Sequence, residues 1–387
     1  MQNRSWNFLV LFIAAILWFG LSQSGCKRVS EGVPPKIAAA IDSVRQIYCP
    51  DRRLSVFDIH VEVRGKNVTL TGEVDQPAAI SALSKATKAA DRDFKVELNL
   101  KLLPDAELHG KTVGIILSSV ANLRSKPAYS AELSSQLLLG TEIKVLKHKD
   151  GWFYVQGEDG YLGWLNGVFF QWGDRQLQKR WHEKPRYVFT NLSGKIYEKP
   201  STRSMVVSDL VGGAVVQKIG ASRNWLKVQL PDQRQGYVQK QFLRSLEKWE
   251  TQPMPDGRKI VRTALRFHGL PYLWGGTSPK AVDCSGFTQT VFKWNGIRLL
   301  RDASQQFRQG VAIDPGRDFE NLRPGDLVFF GPKKNKIVHV GIYMGDMQYI
   351  HSSGRVKINS FDRQAKNFSE YRYKTFVGAR RILENKS

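Results

Sequence analysis

A repeat in the middle of the chain constrains the fold more than any other feature of the sequence. Three residues return after a constant displacement of 73 positions, as the pairs Pro127 and Pro200, Gly140 and Gly213, and Trp152 and Trp225, and one aromatic position returns as Trp164 and Tyr237. Each copy holds short β-type segments separated by Gly, Asp or Asn turns, which is typical of small β-barrels. The repeat therefore predicts two tandem barrels, over residues 110–172 and 183–246, with most of their aromatic side chains in the barrel cores.

The first copy carries a recognisable succession of motifs. "ANLRSKP", "LLLGTEIKVL", "DGWFYV" and "DGYLGWL" follow one another between residues 121 and 165. This succession resembles a bacterial SH3 domain, and the second copy is a more divergent relative of the first.

The segment before the repeat alternates strand and helix signals. "FDIHVEVRGKNVTLTGEV" has the period of two that is typical of strands, "QPAAISALSKATKAADRD" is helical, and "FKVELNLKLL" is a further strand. The order and the motif "VTLTGEV" resemble the BON domain, a small α/β module of envelope proteins that is linked with membrane or phospholipid association. We therefore expect a BON-like domain over residues 36–105.

The last third of the chain predicts a domain of a different kind. After the proline-containing linker "WETQPMPDG", helical patterns come first and strand patterns such as "DLVFFG" and "KIVHVGIYMG" follow. Helices followed by an antiparallel sheet make an α+β domain, expected over residues 256–387. A chain of 387 residues is too long for a single core, so the fold class predicted is a multidomain α+β protein.

The N-terminus has the pattern of an export signal. Arg4 precedes the apolar run "FLVLFIAAILWFGL", which is too short for a comfortable transmembrane helix. Cys26 after Ser24-Gly25 resembles a bacterial lipoprotein box, although Gln23 stands where that box usually has leucine. The interpretation is a signal peptide over residues 1–25, lipidation of Cys26 and a tether over 26–35, with simple cleavage or an uncleaved anchor as alternatives. The expected location is the cell envelope, membrane-anchored and facing the periplasm.

The net charge bears on the binding partners of the protein, and the cysteine content bears on its disulfides. The formal net charge is +23, which in an exported protein favours anionic envelope polymers or lipid head groups over nucleic acid, or is simply a solvated basic surface. Besides Cys26 the chain has only Cys49 and Cys284, so an oxidising compartment permits one disulfide between distant parts of the chain. A free Cys284 is the preferred prediction.

Cys284 stands in "VDCSGF", where a helix is expected to begin. A helix N-terminus favours the thiolate, the form in which cysteine is a nucleophile. Asp283 or Ser285 is placed to cap this helix, and Gly286 allows close approach of the backbone.

Two histidines in the downstream strands are candidates for a base and its orienting partner. The period of two puts His339 on one face of its strand with Ile337 and Gly341. His351 lies opposite His339 in a hairpin if the connecting loop has an odd number of residues or the hairpin contains a bulge. The two imidazoles would then share a face. Zinc ligation by Cys284, His339 and His351 is disfavoured because the usual closely spaced ligand pair is absent, and no cofactor is expected.

Several motifs in order support a closer resemblance for this last domain. "GLPYLWGGTSPKAVDCSGF", "LLRDASQQF", "LRPGDLVFF" and "VHVGIYMGDMQYIHSS" resemble the NlpC/p60 family of cell-wall cysteine peptidases. The resemblance implies a papain-like fold with Cys284 as nucleophile, His339 as base and His351 as the orienting residue. It also implies that Tyr272 helps the Cys284 backbone N–H to stabilise the oxyanion.

The same resemblance implies the substrate. The family cleaves the bond between D-γ-glutamate and the diamino acid of peptidoglycan stem peptides, and members with paired SH3 domains hold a free N-terminal L-alanine. The matching substrate-binding positions are Asp283 and Ser285, with Ser304 and the SH3-domain residues Glu132 and Tyr161. Trp274, Arg301, Asp302 and Gln305 are interpreted as turn and packing elements. Alternative functions are a non-catalytic wall-binding adaptor, and an amidase or acyltransferase on the same fold.

Overall fold

The computed structural model describes residues 32–383 as four packed units. The predicted signal peptide, Cys26 and most of the tether lie outside the described residues. Within residues 32–383, no helix combines the length and the apolar character needed to cross a membrane.

The N-terminal module (residues 32–105) is a three-stranded sheet covered by two helices. The predicted strand, turn, strand, helix, strand order is present, and one further helix precedes it. The first two strands are antiparallel and the second and third are parallel, because the second helix crosses over between them. The elements are α1 (Pro35–Tyr48), β1 (Phe57–Arg64), β2 (Asn67–Val74), α2 (Pro77–Ala90) and β3 (Lys95–Leu102).

The predicted repeat folds as two β-domains with the same topology. The first β-domain (residues 113–173) has the strand order β6-β5-β9-β8-β7-β4-β10, and the second (residues 186–245) has the order β13-β12-β16-β15-β14-β11-β17. In the first, the strands are β4 (Val113–Ile116), β5 (Val120–Arg124), β6 (Leu133–Leu138), β7 (Glu142–Lys149), β8 (Trp152–Gln156), β9 (Leu162–Asn166) and β10 (Phe170–Gly173). In the second they are β11 (Arg186–Phe189), β12 (Ser193–Tyr197), β13 (Val206–Val211), β14 (Val215–Ser222), β15 (Trp225–Gln229), β16 (Gln235–Gln239) and β17 (Leu243–Ser245).

The displacement of 73 found in the sequence holds for whole strands. The strands β8 and β15 begin at Trp152 and Trp225, and the strands β9 and β16 begin at Leu162 and Gln235. Equal spacing and equal strand order confirm the predicted duplication.

The two β-domains pack against each other through a small apolar cluster. A helix between them, α3 (Arg175–His182), inserts Trp181 beside Ile115 and Val215. Gly140 lies at this junction with a φ of +76°, and a Cβ there would lie 2.1 Å from the carbonyl oxygen of Val215. The close approach of the domains thus requires glycine at this position.

The C-terminal domain (residues 257–381) has the predicted α+β character. Helix α6 packs on a six-stranded antiparallel sheet of order β20-β25-β21-β22-β23-β24. A short helix α4 (Leu246–Glu250) links the second β-domain to this unit. The remaining elements are α5 (Gly257–Leu265), β18 (Thr277–Ser278), β19 (Ala281–Val282), α6 (Cys284–Lys293), α7 (Ala303–Gln306), β20 (Val311–Ile313), β21 (Leu327–Phe330), β22 (His339–Gly345), β23 (Gln348–Ser353), β24 (Arg355–Ser360), α8 (Glu370–Lys374) and β25 (Phe376–Arg381).

Replacing Gly140 by alanine tests the tight junction between the β-domains. Gly151 has the same φ of +76° but no neighbour within 4 Å of a Cβ, so Gly151→Ala is the matched control. The left-handed backbone costs each variant about 1–2 kcal/mol, and only Gly140→Ala adds a clash of roughly 1–3 kcal/mol. We expect a lower urea midpoint for Gly140→Ala than for Gly151→Ala, and equal midpoints would contradict the junction described here.

Candidate active site

Cys284 is the first residue of helix α6, as the sequence predicts. Its neighbour Asp283 caps the helix by accepting a 2.7 Å hydrogen bond from the backbone N–H of Gly286. A Cβ at Gly286 would lie 2.0 Å from the carbonyl oxygen of Gly276, so only glycine permits this packing. Of the two residues predicted to cap, Asp283 does so and Ser285 does not.

Asp283 also forms a buried ion pair with Arg301. The guanidinium donates from Nη2 to Oδ2 at 2.5 Å and from Nη1 to Oδ1 at 3.2 Å, and Arg301 is only 2% exposed. Ser285 and the backbone N–H of Gly275 complete the shell around the carboxylate. Both carboxylate oxygens are therefore engaged, which leaves Asp283 without a free acceptor site for a substrate amine. The interpretation of Arg301 as a packing element missed this ion pair.

His339 and His351 lie on one face of the sheet, as the alternation predicts, but diagonally rather than opposite each other. The strand register pairs Ile342 with Ile350, and a bulge between Tyr343 and Gly345 sets the turn. Gly341 is consequently the residue next to His351, and a Cβ there would lie 3.1 Å from the His351 Cβ. The missing side chain lets the imidazoles meet, with His339 Nε2 at 2.7 Å from His351 Nδ1.

A chain of hydrogen bonds fixes the tautomers of both histidines. The Nδ2 group of Asn359 donates to the backbone carbonyl of Asn367 at 2.6 Å, and its Oδ1 lies 2.8 Å from His351 Nε2. A carbonyl only accepts, so His351 must carry its proton on Nε2 and accept from His339 at Nδ1. Neutral His339 is therefore left with an unprotonated Nδ1, the form that a general base needs.

Burial sets the charge state of the nucleophile and the base. Burial raises the pKa of Cys284 to about 11 with a further contribution from the Asp283 charge, although the backbone N–H groups of Val340 and Ser285 oppose this rise. Burial likewise lowers the pKa of His339 well below 6.5, and that of His351 to about 4. The resting site thus holds a neutral thiol next to a strand that carries a neutral imidazole. The Val340 contact places the sulfur beside the residue that follows His339.

Cys284 opens onto a cavity of about 370 Å³ between domains. The C-terminal domain supplies most of its wall, and the first β-domain supplies Glu132 and Tyr161. Glu132 accepts a 2.7 Å hydrogen bond from the indole N–H of Trp274. All five predicted substrate-binding residues line this cavity, as do Tyr272, Trp274, Arg301 and Asp302. Burial is the main cause that raises the pKa of Tyr272 to about 12, so its hydroxyl remains a donor.

The wall around Ser304 depends on a residue that the sequence analysis did not identify. Arg53, from the N-terminal module, donates to Asp302 at 2.7 Å and to Ser304 at 3.0 Å, and it also pairs with Asp51. The hydroxyl of Tyr161 donates to the same Asp302 oxygen at 3.1 Å. Three units of the chain therefore meet at one carboxylate. Nothing in the local sequence of Arg53 signals this role, because Asp302 and Ser304 lie about 250 positions away.

Two further expectations concern cysteine pairing and metals. Cys49 and Cys284 are both buried free thiols, so the disulfide between them is not formed. Cys49 instead donates to the carbonyl oxygen of Ser55. Among residues 32–383 no group of three metal-ligating side chains is clustered closely enough to hold an ion.

Comparisons with known proteins match three of the four units. The family model for the NlpC/P60 family matches residues 269–381, that for the bacterial dipeptidyl-peptidase Sh3 domain matches 123–167, and that for the bacterial SH3 domain matches 191–244. A gamma-D-glutamyl-L-lysine dipeptidyl-peptidase of Bacillus cereus is 32% identical over 57% of this chain and 67% of that protein. Dipeptidyl-peptidase 6 of Lysinibacillus sphaericus is 28% identical over 65% of this chain and 92% of that protein. The crystal structure of an NlpC/P60 family protein from Bacillus cereus superposes with a TM-score of 0.62 at 25% identity, covering 70% of this chain and all of that one.

The fold and the site together define a cysteine peptidase with an α+β catalytic domain and two SH3 domains. The chain belongs to the NlpC/P60 family, and it is a peptidase of that cell-wall type. The predicted multidomain architecture is confirmed for the two SH3 domains and the catalytic domain. The BON-like nature of the N-terminal module stays a prediction, since none of the family matches covers it.

The acid limb of the pH profile tests the neutral state of His339. Protonation of His339 removes the base, and burial lowers its pKa, so activity is present above pH 6.5 and is lost only as the pH falls below that value. We expect kcat/KM to be flat from pH 6.5 to 8. An acid limb centred above pH 6.5 would contradict this charge state.

Asn359→Ala tests the hydrogen-bond chain. The variant leaves the buried Nε2 proton of His351 without an acceptor, so the tautomer that orients His339 is no longer imposed. We expect kcat to fall by roughly tenfold or more with little change in KM, as for other orienting residues. Asn359→Asp keeps an acceptor for the His351 proton, loses the hydrogen bond to the Asn367 carbonyl and adds a charge that raises the imidazole pKa, so it should retain more turnover than Asn359→Ala and move the acid limb upward. A wild-type kcat in Asn359→Ala would contradict the role given to this hydrogen-bond chain.

Proposed function

We propose that the protein hydrolyses the bond between γ-D-glutamate and the diamino acid of peptidoglycan stem peptides and prefers a free N-terminal L-alanine. The names of two relatives, both dipeptidyl-peptidases, support this class of reaction. The observation that carries the proposal is the cavity beside Cys284, which the first SH3 domain walls with an unpaired carboxylate. A wall at that position leaves room for a short N-terminal segment of a peptide.

The proposed reaction uses the neutral thiol and imidazole of the resting site. His339 Nδ1 takes the thiol proton as the Cys284 sulfur attacks the γ-carbonyl of D-glutamate, and the N–H groups at the start of α6 with Tyr272 stabilise the oxyanion. Protonated His339 then gives its proton to the leaving amine, which frees the diamino acid and leaves an acyl-enzyme. Water activated by His339 hydrolyses the thioester and restores the thiol.

Glu132 is the best candidate for holding the substrate amine. The cavity is lined by two arginines and three acids; Asp283 pairs with Arg301 and Asp302 pairs with Arg53, which also pairs with Asp51, so one acid has no cation partner. Glu132 is that remaining charge, since no cation in the described part of the chain pairs with it. An ammonium group would compensate it, and the Tyr161 hydroxyl lies in the same wall.

The proposed place of action is the cell envelope, on stem peptides already released from the glycan strand. A requirement for a free amino end excludes stems that are still attached through L-alanine, which is the behaviour of a recycling enzyme. Export and lipidation at Cys26 would hold the enzyme at the membrane. Mass spectrometry of digests of free stem peptides and of intact sacculi tests the reaction and this restriction together.

Glu132→Gln should raise KM for L-Ala-γ-D-Glu-L-Lys by roughly tenfold with little change in kcat, because a charge-assisted hydrogen bond to the ammonium is lost. The N-acetylated peptide lacks the ammonium and should be poor for the wild type and the variant alike. Product formation is measured by liquid chromatography.

Two further variants serve as controls for the Glu132→Gln experiment. Glu198→Gln removes an exposed carboxylate from the corresponding loop of the second SH3 domain and should leave KM unchanged. Cys284→Ala should abolish hydrolysis, and full activity in that variant would refute the mechanism. Binding of peptidoglycan without any turnover by the wild-type protein would instead favour the adaptor function.

A further inference from the structure

A second pocket adjoins the Cys284 cavity at Tyr272 and Val338, and Glu132 does not line it. It has a volume of about 270 Å³ and shares Tyr272 and Val338 with the cavity described above, so the two are neighbouring parts of one groove. Its lining is His339, Ser352, Ser353, Gly354, Tyr371 and Arg372, besides the two shared residues. Neither the sequence analysis nor the mechanism uses this pocket.

Among the described residues, Arg372 is the one cation that lines this pocket, and none of the described acids pairs with it. Its guanidinium carbon lies 5.5 Å from the ring centre of Phe330 and 5.3 Å from that of Tyr371. The ionisable groups that interact with it include Tyr349, Tyr371 and Cys284, together with the two histidines of the site, and none of these is a carboxylate. Across residues 32–383, no Asp or Glu lies within salt-bridge distance of it.

This unpaired state is unusual for an arginine of the site. Arg301 and Arg53 each have carboxylate partners at hydrogen-bond distance. Arg372 is partly buried, and burial lowers its pKa. The rings of Phe330 and Tyr371 stabilise the cation, but no carboxylate of the described residues neutralises its charge. A bound anion would supply the compensation.

The position of the pocket identifies which part of a substrate would enter it. In a cysteine peptidase the imidazole that takes the thiol proton later protonates the leaving amine, so the leaving group lies on the side of that imidazole. His339 lines the second pocket, whereas Glu132 and Tyr161 line the first. The second pocket is therefore on the leaving-group side.

We propose that Arg372 binds a carboxylate of the leaving diamino acid. This inference rests on the proposed function and specifies its substrate further. The carboxylate is either the α-carboxylate of a stem that ends at the diamino acid or the side-chain carboxylate of diaminopimelate. Guanidinium groups bind both through paired N–H donors.

The two uncompensated charges of the groove then match the two ends of one short peptide. Glu132 is negative at the end that receives the N-terminal amine, and Arg372 is positive at the end that receives the leaving group. A zwitterionic tripeptide satisfies both, while a longer or amidated stem leaves Arg372 unpaired unless its side chain carries the carboxylate.

Four peptides tested on the full-length enzyme separate the two sources of carboxylate. They are L-Ala-γ-D-Glu-L-Lys, its diaminopimelate counterpart, and the α-amide of each. If Arg372 binds the α-carboxylate, wild-type KM is roughly tenfold lower for both acids than for their amides. If it binds the side-chain carboxylate, both diaminopimelate peptides are favoured over both lysine peptides. Arg372→Gln should abolish whichever preference is found, and Arg372→Lys should restore part of it.

The matched control is Lys374→Gln, which removes a positive charge from the same helix but an exposed one that pairs with Glu370. It should keep the wild-type preference. Arg372→Gln should still prefer peptides with a free amino end over their N-acetylated forms. That preference verifies that the first cavity is intact in this variant. Equal KM for the four peptides in the wild type, or an equal loss on all four in Arg372→Gln, overturns the inference alone. Failure of the wild type to cleave any of them overturns the proposed function as well.

Discussion

The buried ion pair between Asp283 and Arg301 is the interaction on which the site depends. The Asp283 carboxylate caps the helix that presents Cys284, and it also accepts from the backbone N–H of Gly275. Gly275 lies under Leu133 of the first SH3 domain, with a φ of +80° and no room for a Cβ. Loss of either charge would leave the other buried and unpaired, at a cost of about 3–5 kcal/mol. The Asp283–Arg301 pair thus fixes both the helix that presents Cys284 and the segment at Gly275 that contacts the first SH3 domain.

The base is fixed by a second polar chain that is independent of the first. It begins at the backbone carbonyl of Asn367 and passes through Asn359 and His351 to His339. Since the first member can only accept, every later proton position follows from it. The position of the nucleophile depends on an ion pair, whereas the position of the base depends on a chain of neutral hydrogen-bonding groups. Both histidines are therefore uncharged in the resting site.

The sequence was sufficient for features that repeat or alternate. A constant displacement predicted two tandem β-barrels, whose motifs resemble SH3 domains, and the parity of 339 and 351 in a paired hairpin predicted that the imidazoles share a face. It was not sufficient for features that depend on register or on distant packing. The bulge that makes the histidines diagonal involves a backbone detail at Gly345, and the acceptor Asn359 lies on a strand with no distinctive pattern. The surroundings of Arg53 and Arg372 are set by residues that come close only when the domains fold, so the local sequence does not reveal them.

The contact of Arg53 with Asp302 and Ser304 joins residues that are separated by 249 and 251 positions. Arg372, which lines the second pocket, and the carbonyl of Asn367, where the hydrogen-bond chain of the histidines begins, lie later still in the chain. During synthesis the N-terminal module is made first, and the cleft gains its last parts only when the final strands are in place. A chain that has been made only as far as helix α6 therefore carries the thiol without its base, although the walls from the earlier domains are already present.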